Sequence, residues 1–387
     1  MMLNSGVVRK KDLYITLLTI YFICLPLDGM VLGSIGSPLK LIAIPPLAFA
    51  AFCARKIRLN SLIKSLLLYL AFVLLSCLWS VNPSMSVSRC VSIVLLFALT
   101  LSSAVFEYDD YDIFKLKRAL LWSTRSTAMV MLLTSEFKYG RFILGGKIDE
   151  DPNYLCGFLF AGIIYIIQKI INKEYRARDL VEFIIYAVLI LLTGSRGGLI
   201  AITVSAVAYF LFGQESESKN TIRNIGILLL IIFLMVFSVN FLPAELQARF
   251  NLIEAVASGG TGRTDIWTRG IEIFRDSTLG RQLFGIGTGT ITQVLIMTFY
   301  GRTSGYVMHN IYLETLLELG IVGLFVYMHW IITFLRTSYR QTDKFACFVM
   351  LGIAILALTT SLDTFKPYFN IMLLIIAQSN RQCLSDE

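Results

Sequence analysis

HNIYLETLLELGIVGLFVYMHWIITFL, residues 309–335, decides how this chain is built. From Ile311 onward only Glu314, Glu318 and His329 bring carboxylate or imidazole groups into an otherwise apolar run. The run is long enough to cross a bilayer, for which about 20 residues suffice. Immediately before it lies a polar segment, Pro243–His309, with six arginines (Arg249, Arg263, Arg269, Arg275, Arg281, Arg302), five carboxylates and one of the chain's two histidines. A chain that is apolar nearly everywhere else and makes one long polar excursion is expected to carry its chemistry there.

The composition supports that frame. Of 387 residues, 56% are hydrophobic and 16% charged, and the mean hydropathy is +0.71. Soluble domains carry roughly a quarter charged residues, so the chain reads as a polytopic membrane protein. The net charge of +8 fits basic residues gathered in cytoplasmic loops, and no basic stretch interleaved with aromatics points to nucleic acid. The seven cysteines lie in or beside apolar runs without a Cys-x-x-Cys pair, which supports neither a disulfide framework nor a zinc site. Arg9-Lys10-Lys11 precedes an apolar run with no small-residue cleavage site, so the first span is expected to be retained.

Scanning for bilayer-length runs gives about 12 candidate spans: 13–33, 38–54, 61–79, 87–106, 119–135, 153–171, 180–194, 197–213, 222–242, 310–335, 344–361 and 367–380. The expected fold is all-α and integral to the membrane, a single polytopic domain over 1–387. Its one large extracytoplasmic loop, 243–309, carries short amphipathic helices. With the N-terminus inside, alternate segments hold 20 basic residues, against seven in the short segments opposite. That asymmetry predicts cytoplasmic N- and C-termini and an external loop. Arg125, inside the fifth span, is placed to snorkel towards the cytoplasmic end. Four polar motifs then share the external face: Trp79-Ser80-Val81-Asn82-Pro83, Asp151-Pro152-Asn153, Gly194-Ser195-Arg196-Gly197-Gly198 and the long loop.

Each motif has a plain reading beside a functional one. Gly194–Gly198 is a tight turn between spans, yet Arg196 at the next helix's start also makes an anion site. Gly262-Arg263-Thr264-Asp265-Ile266-Trp267 opens an amphipathic helix suited to the membrane interface, with Trp267 at headgroup level. Arg263 follows Gly259-Gly260-Thr261-Gly262 and is the phosphate-ligand candidate. Phe284-Gly285-Ile286-Gly287-Thr288-Gly289-Thr290 fails the Gly-x-Gly-x-x-Gly spacing and has no Lys-Ser/Thr after it, so it reads as a turn between loop helices. His309 has a side chain suited to proton abstraction near neutrality. Asn310 serves either as the N-cap or as a substrate contact, and Asn153 is likewise either capping chemistry or a substrate contact. Glu314 and Glu318 share a helix face; they either orient His309 and bind sugar hydroxyls or pair with an arginine of a neighbouring helix. His329 reads as structural.

These residues resemble the O-antigen ligase and Wzy-type O-antigen polymerase superfamily. The likeness rests on Thr-Gly-Ser-Arg-Gly-Gly between two spans, Gly-Arg-x-x-x-Trp in a large loop, Phe-Gly-Ile-Gly-Thr-Gly, and His-Asn-x-Tyr-Leu-Glu followed by Glu-Leu-Gly-Ile-Val-Gly. Its sharp part runs from Thr193 to Gly323. The resemblance implies an inverting glycosyltransferase that needs no metal and no cofactor, facing outward from the bacterial cytoplasmic membrane. It implies an undecaprenyl-diphosphate-linked oligosaccharide as substrate, with Arg196 and Arg263 on the lipid diphosphate and His309 as catalytic base. A flippase and a chain-length regulator of the same pathway are the partners it implies. The chain has no second histidine near His309, unlike some ligases of the family. The expected activity is therefore polymerisation of repeat units, ahead of ligation to lipid A-core or protein O-oligosaccharide transfer. A rival reading, a lipid-linked glycan transporter, calls for similar halves and midplane charges. Here the halves are dissimilar and the charges gather at one face.

Overall fold

The computed structural model describes residues 5–30, 37–54, 57, 59–138, 140–145, 150–213, 226, 239–251, 262–299 and 302–381. In chain order the helices are α1 (Ser5–Ile23), α2 (Leu39–Ile42), α3 (Ile44–Cys53), α4 (Ser61–Leu75), α5 (Pro83–Ser102), α6 (Asp110–Thr134), α7 (Pro152–Ile171), α8 (Ala177–Leu192) and α9 (Arg196–Phe212). Then follow α10 (Ala244–Phe250), α11 (Arg263–Arg275), α12 (Leu279–Phe284), α13 (Ile291–Val294), α14 (Ile311–Tyr339), α15 (Phe345–Leu356) and α16 (Lys366–Ser379). Two antiparallel hairpins join them, β1 (Ser135–Lys138) with β2 (Arg141–Leu144), and β3 (Ile296–Phe299) with β4 (Arg302–Gly305).

The chain is mostly helical, as its composition implies, and helices overlap the anticipated spans where these fall on described residues; most of 222–242 and the end of 13–33 lie outside them. Four of them, Ser61–Trp79, Pro83–Val105, Pro152–Ile171 and Ile311–Tyr339, are long and apolar enough to cross a membrane. Among the described residues the buried apolar side chains form two cores. The large one runs through the bundle and buries Trp330, Phe97, Phe160 and Phe345. The small one (Ile266, Ile286, Ile291, Leu295, Met308, Leu317) glues the 262–308 segment to the start of α14. In that small core Trp267 packs half-buried and donates its indole N–H to the Met308 carbonyl at 2.8 Å. It is thus a bracket on the neighbouring turn, where the sequence places it at headgroup level.

How the small core meets α14 follows from one glycine. Gly320 has φ +71°, which breaks the helical ladder inside α14 and leaves carbonyls one turn back without their amide partners. The glycine-rich turn between α12 and α13 fills the gap. Ile286 N–H donates to the Leu317 carbonyl at 3.1 Å and Gly287 N–H to the Glu318 carbonyl at 2.8 Å. The Glu318 carboxylate completes the clamp by accepting from Gly289 N–H at 2.8 Å and Ile291 N–H at 3.0 Å. The Trp79–Pro83 motif braces the other side: Trp79 Nε1 donates to the Phe284 carbonyl at 2.8 Å, and Val81 N–H to the Ile286 carbonyl at 2.9 Å.

A side chain at position 285 has no room here. Gly285 has φ +78°, and a Cβ on it would stand 2.2 Å from the Glu318 carbonyl oxygen. Gly285→Ala is expected to destabilise the fold by about 2 kcal/mol or more, read as a lowered melting temperature in detergent. Gly280→Ala, with nothing within 4 Å of its would-be Cβ, should leave the melting temperature unchanged or raise it.

Candidate functional site

The candidate site is assembled from three helix starts. Asp151 caps α7, its side chain accepting from Asn153 N–H at 2.6 Å, with Pro152 at the first helical position. Ser195 caps α9 by accepting from Gly198 N–H at 3.0 Å. Asn310 caps α14, its Oδ1 accepting from Tyr312 N–H at 3.0 Å and Leu313 N–H at 3.1 Å. All three follow the chemistry of short polar side chains at free helical amides.

Buried polar contacts lock these starts together. Ser195 Oγ donates to Asn153 Oδ1 at 2.7 Å, joining α9 to α7. Close packing explains both glycines after Arg196: a Cβ on Gly197 would strike Thr359 and one on Gly198 would strike Cys156. Arg196, the first residue of α9, is thereby fixed in direction by a turn that cannot relax. Asn153 is a bracket between two helices and lies only 5% exposed.

Two arginines that the sequence did not single out join Arg196. Arg141, on β2, donates from Nε to the Thr193 carbonyl at 2.9 Å, beside the turn that carries Arg196. Arg249 arrives on α10, which buries Leu246 against Gly194. The Arg249 side chain lies so close over Gly194, at φ +61°, that a Cβ there would meet it at 3.1 Å. Its Nε is buried with no hydrogen-bond partner, an expensive state for a cationic donor. Arg263 begins α11 after Gly262 at φ +77°; Gly259-Gly260-Thr261 lies outside the described residues. Among the described residues, no hydrogen bond or ion pair engages the guanidinium of Arg196, Arg249 or Arg263.

His309 occupies a strained turn. Its φ of +48° lies in the left-handed region, which costs a side-chain-bearing residue about 1–3 kcal/mol unless neighbours hold it. Here they do. Trp267 takes the Met308 carbonyl, Glu314 Oε2 accepts from Met308 N–H at 3.2 Å, and Ile311 N–H donates to the Ala357 carbonyl at 3.0 Å. Glu314 also accepts from Ser361. Both α14 carboxylates thus hydrogen-bond to backbone amides, and Glu314 also to a serine, while Arg89 on α5, ion-paired with Asp363, attracts both from a longer range. Glu314 holds the turn that carries His309, and Glu318 holds the glycine-rich segment.

Electrostatics tie the cluster together. Burial pushes the His309 imidazole below its ordinary 6.5, the Arg263 guanidinium pushes it further, and Asp151 partly offsets both. Burial also lowers Arg263, with Asp151 opposing and Arg196 and Arg249 adding. Arg249 is lowered by burial, then by Arg141 and Arg196. Arg141 is lowered by burial and by Arg263, with Asp151 opposing. Four guanidiniums and an imidazole pushed towards its neutral form therefore share one neighbourhood in which Asp151 is the carboxylate that opposes them, a setting that favours a multiply charged anion with a basic nitrogen beside it.

Apolar helices around such a site define a membrane protein. Residues 182–328 match the family model for O-antigen ligase, a stretch reaching from α8 into α14 and holding Arg196, Arg249, Arg263 and His309. The resemblance to the O-antigen ligase and polymerase superfamily is thereby shown on the residues that form most of the cluster. No curated protein matches the chain.

Removing the bracket should loosen the arginine turn. Asn153→Ala deprives Ser195 Oγ and Arg141 of their shared acceptor and is expected to cost about 1–3 kcal/mol, seen as a lower melting temperature. Asn153→Asp keeps that acceptor but replaces the Nδ2 that donates to Asp151 Oδ1 at 2.6 Å with a second buried carboxylate oxygen, and should cost at least as much.

Proposed function

We propose that this chain is a polysaccharide repeat-unit polymerase, an inverting glycosyltransferase that moves an undecaprenyl-diphosphate-linked glycan onto a sugar hydroxyl of another lipid-linked repeat unit. The observation that supports it is the grouping of Arg196 and Arg249, which make no ion pair among the described residues, around Arg263, and of Arg263 beside His309. Arg196 and Arg263 hold the lipid diphosphate, and Arg249, with its unsatisfied Nε, adds a third donor. As the bond between sugar and diphosphate breaks, negative charge grows on the leaving phosphate. Preplaced guanidiniums stabilise that charge more than they stabilise the ground state. His309 removes the proton from the attacking hydroxyl on the opposite face of the sugar, which inverts the anomeric centre. Protonation of His309 is disfavoured by burial and by Arg263 until the diphosphate neutralises that charge, so the base is neutral when substrate arrives. Asn153, Asn310, Glu314 and Glu318 are proposed to bound the substrate space chiefly by fixing the turns around it.

Polymerisation is preferred to ligation because a single histidine stands at this turn. The other, His329, lies about 30 Å further along α14 at 1.5 Å per residue. Deletion followed by lipid and polysaccharide analysis separates the two activities. Single-repeat lipid carrier should accumulate, whereas accumulated long lipid-linked polymer would establish a ligase.

Arg196→Ala, Arg263→Ala and His309→Ala are each expected to abolish polymer while leaving membrane insertion intact, and wild-type activity should persist in EDTA. Normal chain length in all three variants would refute the mechanism.

The pH dependence has a definite sign. The base works as neutral imidazole, and in the free protein its pKa lies below 6.5. The acid limb of kcat/KM, which reports the free enzyme, should therefore fall below pH 6.5, with activity full above it and lost as pH drops through it. Bound diphosphate adds negative charge and favours imidazolium, so the acid limb of kcat should sit at higher pH than that of kcat/KM.

A further inference from the structure

At the end of α6–α8 opposite His309, the molecule carries a second cationic feature. A cleft of about 690 Å³ opens between the first half of α6, the end of α7 and the start of α8. Two ion pairs lie in it, Arg125 with Glu182 at 3.2 Å and Lys169 with Asp179. Each neutralises itself. What remains is Arg118, Arg176 and Arg178 against Glu174, an excess of two positive charges. All three arginines are exposed, and among the described residues none of them makes an ion pair.

The cleft is amphipathic along its length. From Phe114 to Arg125 it follows α6 for about 16 Å at 1.5 Å per residue. The unpaired arginines stand at the helix-end side. Further along, Trp122 is 44% exposed and carries the Arg125 guanidinium 5.3 Å from its ring centroid. On the same wall Phe114 is 46% exposed, with the Arg118 guanidinium 5.6 Å from its ring centroid. Cations at the end of a helix bundle, with the uncovered Phe114 and Trp122 rings along the same cleft, match one ligand chemistry: a phosphate-bearing headgroup with its acyl chains laid along the helices. A purely solvated loop would not need the apolar wall continuous with its charges.

We propose that this cleft binds one anionic phospholipid from the leaflet opposite the arginine–histidine site, with Arg118, Arg176 and Arg178 on its phosphodiester. The site is separate from the catalytic proposal and stands without it. The bound lipid also ties the α7–α8 turn to α6, at the far ends of the helices whose other ends position Arg141, Asn153 and Arg196.

Native mass spectrometry of the full chain in detergent, with palmitoyl-oleoyl phosphatidylglycerol, the matching phosphatidylcholine or inorganic phosphate added, tests this. The wild type should retain one phosphatidylglycerol about tenfold more strongly than phosphatidylcholine, with inorganic phosphate failing to displace it at equal concentration. The double variant Arg118→Gln/Arg178→Gln should lose about tenfold or more of that retention, while its melting temperature in lipid-free detergent stays at the wild-type value. Arg196→Ala/Arg263→Ala should retain the lipid as the wild type does. Undiminished retention by the Arg118/Arg178 variant, equal retention of phosphatidylcholine, or displacement by inorganic phosphate would each overturn the proposal.

Discussion

Mutual repulsion among guanidiniums is the constraint on which this structure turns. Burial and then a neighbouring guanidinium lower Arg141, Arg249 and Arg263: Arg263 acts on Arg141, Arg141 and Arg196 act on Arg249, and Arg196 and Arg249 act on Arg263, with Asp151 opposing at Arg141 and Arg263. Such a set does not assemble by attraction; it has to be held. The holding devices are apolar or neutral: Leu246 seated on Gly194, the Ser195–Asn153 bond, and the Ile266, Trp267 and Gly270 face of α11 packed on Met308. Stability elsewhere in the bundle offsets a local arrangement that only an anionic ligand relieves.

The same logic explains why α14 is broken. A straight helix would satisfy its own backbone and offer the loop nothing to bond. The turn at Gly320 frees the Leu317 and Glu318 carbonyls, and the glycine-rich segment docks on them through Ile286 and Gly287. That docking carries the small apolar core, which in turn holds Met308 and the strained backbone of His309. The loop and the bundle are therefore one mechanical unit at this point, and the position of the imidazole depends on a glycine three turns of helix away.

Much of this was legible in the sequence, for identifiable reasons. Helices form where runs of bilayer length occur, and the caps at Asp151 and Asn310 follow from local chemistry that needs no tertiary contact. The grouping of Arg196, Arg263 and His309 came from motif order, and the structure brings the three together. Arg249 and Arg141 were not legible, because a short amphipathic helix and a hairpin carry no signal of which turn they will cover. Gly285–Thr290 could be denied a nucleotide role by spacing alone. Its actual partner stayed hidden, since Gly320 looks like any glycine in a Leu-Gly-Ile-Val-Gly helix until its φ is seen. Glu318 illustrates the converse: an intramembrane carboxylate invites a ligand role, yet backbone amides occupy both its oxygens.

The most direct test of the central claim is a cryo-electron microscopy map of the chain with undecaprenyl diphosphate bound. Density for the two phosphates is predicted among Arg196, Arg249 and Arg263, with the His309 imidazole facing the glycan side. Diphosphate density lodged instead in the neighbouring cleft lined by Lys40, Arg89 and Lys366, with the four-arginine cluster unoccupied, would contradict the account.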